Sequence, residues 1–252
     1  MAKRSACSLT TRFIVTRGTL LIDLIRPRSV LSSAPRGGGL IRARYIINHQ
    51  VPAHPIAARD PLPPRTWKDP SRYLGRVAAS LGAESRCVAL MTAVPMKQVV
   101  LIREEWAGIW IEGFITVGVT NAVKAGEPGA LFHASGERNP QPPPGTINII
   151  LVTNARLTSA ALVGVVQVAT ESKTAALVSR RIRSQTGRSY ATGTGTDALV
   201  IAGGDGPAIR YSGTHTKFGA MVGQLVERGV LEGLLRSEQW PRRRAARVRF
   251  VR

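Results

Sequence analysis

Thr146, Glu171, Lys173, Asp197 and His215 are the reactive side chains of the second half of this 252-residue chain that stand in unusual sequence surroundings. Thr146 follows a glycine at the head of an apolar run, Gly145-Thr-Ile-Asn-Ile-Ile-Leu-Val-Thr153, which also holds Asn148. Glu171 and Lys173 lie in Ala169-Thr-Glu-Ser-Lys-Thr174, Asp197 closes Ala191-Thr-Gly-Thr-Gly-Thr-Asp197, and His215 is the centre of Gly213-Thr-His-Thr-Lys217. A carboxylate, an ammonium and an imidazole could move protons, and a threonine hydroxyl could attack covalently. Backbone N–H groups across Gly193 to Gly195 could hold an anion or a developing oxyanion. The set reads as an active site.

For these groups to meet, they must sit where strands end and helices begin, because free N–H groups and short side chains face a ligand there. The run 145–153 predicts a strand, and Thr158 to Val178 predicts a long helix. On that helix Leu162, Val165, Ala169 and Ala176 form one face. At about 100° per residue, Glu171 falls nearly opposite, with Gln167 and Thr174, so periodicity alone makes it a solvated side chain. Lys173 falls at the edge of the apolar stripe and needs a partner or must snorkel. Thr192, Thr194 and Thr196 alternate with Gly193 and Gly195 ahead of a strand ending at Ala202. The lone Gly-x-Gly lacks the strand-before-helix setting of a dinucleotide site. A last helix, Thr216 to Arg236, follows Thr214 as N-cap. A single histidine at such a turn is more often structural than catalytic.

The first half is strand-rich. Thr19–Ile25 and Ser29–Ser33 read as two short strands separated by Pro27, which cannot donate to a ladder. Gly37-Gly-Gly39 implies close backbone approach or a flexible turn, and a bare glycine run reads as the turn. Leu40–Asn48 is a third strand. Residues 50–66, with five prolines, form an irregular connector. Asp69 as N-cap, Pro70 at the first helical position and Gly82 past Leu81 delimit a helix. Val88–Val94, Gln98–Arg103 and Trp106–Val119 read as strands. Trp106, Trp110 and Phe114 would then share one side of the last strand, as core or, alternatively, as a flat surface for a ring ligand. Residues 134–144, with four prolines, read as a loop between two lobes of one domain, about 13–133 and 145–240. The fold class expected is α+β (mixed α/β), a single domain over 13–240.

Net charge is +20, and six arginines with no acid occupy residues 241–252. With the basic residues 1–12, these are read as solvated extensions, since no aromatic interleaving or zinc pattern accompanies them; nucleic acid would bind only through the tails. Cys7 and Cys87 make no disulfide framework, and Cys87 reads as a small buried hydrophobe. His49, His54, His133 and His215 show no metal-ligand spacing, although His215 with Asp197 and Glu171 could make a mixed site. No stretch of about 18 uninterrupted apolar residues suggests a membrane span. A cytoplasmic protein is expected, and a homodimer is allowed.

Eight segments carry a resemblance to a known family: Leu31-Ser-Ser-Ala34 with Gly37–Gly39, Thr92-Ala93, Thr116-Val-Gly118, Asn121-Ala122, Gly145-Thr-Ile-Asn148, residues 169–177, 191–197 and 213–217. In this order, over residues 28–227, the chain resembles the adenosylcobinamide amidohydrolases of archaeal-type corrinoid salvage. The two tails depart from the pattern. The resemblance implies hydrolysis of the amide between aminopropanol and the corrin side chain, giving adenosylcobyric acid and 1-amino-2-propanol. It implies a corrinoid substrate and no certain cofactor, and it leaves a divalent metal open. The roles expected are His215 or Glu171 to activate the attacking group, Lys173 or His215 to protonate the amine, and Asp197 to orient His215 or hold the aminopropanol hydroxyl. A covalent route would use Thr146 or Ser32. Ser32, Ser33, Gly38, Gly39, Asn121, Asn148, Thr192, Gly193, Thr194, Gly195, Thr214, Thr216 and Lys217 would bind substrate. The layout of strand, helix and strand after Gly145 also resembles that of the ornithine-acetyltransferase-like amidases, which use a threonine nucleophile freed by self-cleavage. A non-catalytic corrinoid-binding protein is the remaining alternative.

Overall fold

Side chains along the strand Ile147–Thr153 (β8) alternate strictly in where they pack. Ile147, Ile149 and Leu151 join one apolar cluster, while Ile150 and Val152 join a second on the other face. A strand buried on both sides reads as a continuous apolar run, which is why 147–152 has no charged residue. The computed structural model describes residues 9–16, 18–51, 69–83, 86–127 and 145–238. Residues 1–8 and 241–252 of the basic extensions, most of the connector 50–66, the loop 134–144, Cys7, His54 and His133 fall outside the described residues. Residues 9–12 join the fold instead of extending from it, since Thr10 N and Thr11 N donate to Glu112 and Arg12 begins the first strand.

β8 lies in an eight-stranded sheet. The other strands are β1 (Arg12–Val15), β2 (Thr19–Ser32), β3 (Gly39–Gln50), β4 (Cys87–Thr92), β5 (Val100–Trp106), β6 (Ile109–Val117) and β11 (Ala198–Ala202). The order is β4-β3-β2-β11-β8-β6-β5, with β1 paired to β2. β8 and β11 are parallel, as are β3 and β4, and the other pairings are antiparallel. Two-residue strands β7 (Ala122–Val123) and β10 (Gly193–Thr194) pair with each other, as do β9 (Arg156–Leu157) and β12 (Ala208–Ile209). The helices are α1 (Pro70–Ser80), α2 (Ser159–Ser179) and α3 (Lys217–Glu238). The α+β expectation is met.

Thr19 to Ser32 form one strand, in contrast to the pair of short strands expected on either side of Pro27. The strand passes the proline by a register shift between Asp23 and Arg28, with Ile25 at φ 71°. A bulge leaves its extra residues unpaired, so the missing proline N–H costs no ladder bond there. The bulge also bends the hairpin of β2 and β3. Leu20 and Ile22 before it, with Val88 and Leu90 of β4, share a cluster with Phe114, Ile150, Val152 and Val200. The outer hairpin half therefore lies over the inner face of β6, β8 and β11. Helices α2 and α3 cover the opposite face, and α1 covers β3 and β4 through Leu74 and Ala78 against Ile47 and Ala89. The layers run helix, strand, strand, helix.

Local signals set the helix ends. Asp69 accepts from Arg72 N at 2.9 Å and Pro70 is the first helical residue, while Gly82 takes φ 66° just past the end. Thr158 caps α2 by accepting from Ala161 N at 3.1 Å, each such cap stabilising its helix by about 1 kcal/mol. Thr216, not Thr214, caps α3: its hydroxyl accepts from Gly219 N at 2.9 Å and donates to Gly213 O at 2.8 Å. α2 is long and apolar enough to cross a membrane by length and composition, but eight of its residues are buried in the core. α2 and α3 run in the same direction, since Gly164 faces Ser212 near both helix starts and Gly223 faces Ser172 further along.

The aromatic face expected on residues 106–119 forms only in part: Trp110 and Phe114 pack on one side as core, and Trp106 leaves it. Trp106 ends β5, the chain turns at Ala107 and Gly108 with φ 49° and 74°, and Trp110 and Phe114 belong to β6. Phe114 is wholly buried and meets Phe13 edge-on at 5.2 Å between ring centroids. No flat surface for a ring ligand is left there.

Candidate active site

The parallel pair β8 and β11 begins at one edge of the sheet, and three segments meet at that edge: 145–147, 193–197 and the last third of α2. Asp197 joins all three. Its Oδ2 meets Lys173 Nζ at 2.5 Å and accepts from Thr194 N at 3.0 Å. Its Oδ1 accepts from Ile147 N at 3.0 Å and from the Thr194 hydroxyl. Thr146 donates its hydroxyl to Thr196 O at 2.8 Å, and the Thr196 hydroxyl donates to Gly145 O at 3.0 Å. Two turns are thus stitched together by side chains too short to do so from any other position.

Next to this knot is an open cavity of about 160 Å³ lined by Ser33, Ile147, Ile149, Val166, Ala169, Thr170, Lys173, Asp197, Ala198 and Leu199. Ser33 is fixed there by accepting from Leu199 N at 3.0 Å, and Ser32 accepts from Ala34 N at 2.9 Å. The expected flexible turn at 37–39 is a close approach instead. A β-carbon at Gly37 would lie 2.6 Å from Cys87 O, and one at Gly38 would lie 2.8 Å from Ala34 O. Gly39, at φ 88°, pairs with Ser32.

Of the predicted catalytic residues, Lys173 and Asp197 pair and line the cavity, while Thr146 lies at the adjoining turn, bonded to Thr196 O, without lining it. Glu171 does not join them: it is exposed on α2 and does not line the cavity. His215 is exposed at the start of α3, beyond the far ends of β8 and β11. The seven residues of β8 span about 20 Å, so Asp197 and His215 lie at opposite edges of the sheet. Asp197 therefore orients Lys173 and Thr194, not His215, and the mixed metal site of His215, Asp197 and Glu171 does not assemble. Among the described residues no group of three or more His, Cys, Asp or Glu side chains is placed to hold a metal. Thr214, Thr216 and Lys217 lie with His215 at that far edge, where Lys217 Nζ sits 5.8 Å from the Trp106 ring centroid.

The glycine-threonine turn also differs from expectation. Thr194 N–H is turned to Asp197, so it is not free for an oxyanion. Gly193 is required sterically, because a β-carbon there would meet Asp197 Oδ2 at 2.5 Å and Lys173 Nζ at 2.8 Å; nothing crowds Gly195. Thr192 accepts from Ala125 N at 2.8 Å. Asn121 Oδ1 is buried with no hydrogen-bond partner, and it lies 2.5 Å from where a β-carbon of Gly145 would be.

Two residues of this edge have no role assigned from sequence, Thr116 standing there only as part of a motif. Asn48 of β3 and Thr116 of β6 are fully buried and bond to each other, with Asn48 Nδ2 donating to Thr116 Oγ1 at 3.1 Å. Asn148 Nδ2 donates to Asn48 Oδ1 and to Met91 O, both at 2.9 Å. The available signal was phase: each stands where its strand otherwise places an inward apolar residue.

A family model described as adenosylcobinamide amidohydrolase matches residues 6–242. This chain belongs to the adenosylcobinamide amidohydrolase family. It is accordingly a hydrolytic enzyme acting on an amide bond. An adenosylcobinamide amidohydrolase of Methanosarcina mazei is 34% identical over 214 residues, 80% of this chain and 88% of that protein. An uncharacterized protein of Methanocaldococcus jannaschii is 32% identical over 233 residues, 88% of this chain and 87% of that one. Among solved structures, a Burkholderia sp. beta-aminopeptidase aligns with TM-score 0.42 at 11% identity, covering 87% of this chain and 79% of that one.

Proposed function

We propose that this member of the amidohydrolase family hydrolyses the aminopropanol amide of adenosylcobinamide, releasing adenosylcobyric acid and 1-amino-2-propanol. The family match across residues 6–242 is the observation that carries the reading. The edge where β8 and β11 begin is the place we assign to the chemistry. Pockets that enclose drug-sized ligands run to about 300–1,000 Å³. A cavity of about 160 Å³ lined by Lys173 and Asp197 suits the aminopropanol end of the amide, with the macrocycle left outside; Thr146 does not line it and stands at the neighbouring turn. Thr146 is the attacking group. Its oxygen bonds to the amide carbon and the C–N bond breaks. The amine leaves with a proton from Lys173, which recovers one as the threonine hydroxyl is consumed. Water then cleaves the ester, giving the carboxylic acid and restoring Thr146.

Incubation with adenosylcobinamide and mass detection of both products tests the assignment. Equimolar acid and amino alcohol are expected. Tight binding with neither product released would leave a corrinoid-binding protein instead.

A second reading concerns how Thr146 is activated. Its hydroxyl faces two carbonyl oxygens, Thr196 O and Asn148 Oδ1, and neither is a base. The peptide before it is unusually held: Gly145 O accepts from the Thr196 hydroxyl, and Asn121 Oδ1 and Thr120 Oγ1 close on its Cα. Attack of Thr146 Oγ on the Gly145 carbonyl, followed by hydrolysis, would free an α-amine with a pKa near ~8, able to act as the base. A denaturing mass spectrum with fragments 1–145 and 146–252 would support it, and an intact active chain would refute it.

A further inference from the structure

We infer that Thr116 and Asn48 are positioning residues that aim Asn148 at the Thr146 hydroxyl; the inference rests on the reading of Thr146 as the attacking group. Three strands carry a polar residue in the inward phase: Thr116 two residues after Phe114 on β6, Asn48 two after Ile46 on β3, and Asn148 two before Ile150 on β8. All three are fully buried. Burying such groups is costly unless each finds a partner. Apolar residues occupy the neighbouring inward positions without difficulty, so packing alone does not call for three polar ones.

The bonds among them have a fixed direction. Asn148 Nδ2 spends both hydrogens, on Asn48 Oδ1 and on Met91 O. Its Oδ1 is then the end that must face Thr146, whose hydroxyl lies 3.4 Å away. With its oxygen already accepting, Asn48 must point Nδ2 at Thr116 Oγ1. Reversing Asn148 would set its oxygen against Asn48 Oδ1 and Met91 O, and reversing Asn48 would set N–H against N–H. The sense of the chain is set by Met91 O, which can only accept, and Asn48 and Thr116 hold Asn148 in that orientation from two other strands. Amides aligned in one sense polarise one another, which strengthens the bond at the reactive end. The Thr146 proton is donated to Thr196 O at 2.8 Å, and the chain fixes a second acceptor 3.4 Å from the same hydroxyl, so neither Thr116 nor Asn48 touches the reacting atoms.

Thr116→Val keeps the shape and removes the acceptor without contact to Thr146. In steady-state hydrolysis of adenosylcobinamide by the full chain, kcat should fall about 10- to 100-fold with KM within about twofold of the wild type. Thr116→Ser, which keeps the hydroxyl, should recover most of the rate. Unchanged kcat in folded Thr116→Val overturns the inference. So does a rate loss in both variants that merely follows their thermal stability. If Thr116→Val does not fold, Thr116→Cys, with a sulfur that accepts only weakly, makes the same comparison. Thr146→Val separates the two levels. If it is inactive while Thr116→Val is unaffected, only the positioning role fails. If it stays active, the attacking-group reading fails and takes the positioning role with it.

Discussion

Lys173 Nζ and Asp197 Oδ2, 2.5 Å apart, rest directly on Gly193. Neither side chain is more than 15% exposed, so the pair is held by protein rather than water. Gly193→Ala would push a methyl group into both partners. We expect it to destabilise the fold by about 1–3 kcal/mol and to depress turnover together with stability, as read by urea unfolding and product release. An alanine variant as stable and active as the wild type would show that the pair can shift without consequence.

The separation of His215 and Glu171 from this pair gives a second test. His215→Ala and Glu171→Gln should each keep kcat/KM within about threefold of the wild type, whereas Thr146→Val should lose at least about 1,000-fold. A large loss on replacing His215 would move the reaction to the other edge of the sheet.

Stability should depend on pH through His49. Its ring lies between two hydroxyls, Thr19 Oγ1 at 2.8 Å and Tyr73 Oη at 2.9 Å, and burial pushes its pKa below the ordinary 6.5. The unfolded chain therefore takes up the proton first as pH falls. Stability is full above 6.5, declines as the pH drops below it, and stops declining once the folded value is passed. Comparing urea midpoints at about pH 7.5 and about pH 5.5 should show a steeper loss in the wild type than in His49→Gln. Equal slopes would remove His49 from the account.

Ile25 offers a stabilising substitution. It is β-branched, half exposed and held at φ 71° in the bulge of β2. Left-handed backbone costs such a residue about 1–3 kcal/mol, and asparagine tolerates it better. Ile25→Asn should raise the unfolding free energy by about 1 kcal/mol, read by thermal or urea melts.

What could be read from the residues alone was largely local. Asp69, Pro70 and Gly82 mark α1, Thr158 marks α2, and the apolar run after Thr146 marks β8, because each signal acts within a few residues of itself. Long-range facts were not legible. Pro27 breaks a ladder in isolation but not inside a bulge, and Trp106 changes strand because the turn falls at Ala107 and Gly108. The motif around His215 follows Asp197 closely in sequence. Only the parallel pairing of β11 with β8 reveals that a whole strand length separates them. Asn48 and Thr116 look like ordinary strand residues until three strands are laid side by side.

The bent hairpin has a bearing on how a bulky substrate can be admitted. Because β2 and β3 run unbroken through both strand layers, the layers cannot swing apart like two jaws without tearing their own pairing. Any opening of the sandwich should therefore cost the pairing of β2 with β3 first.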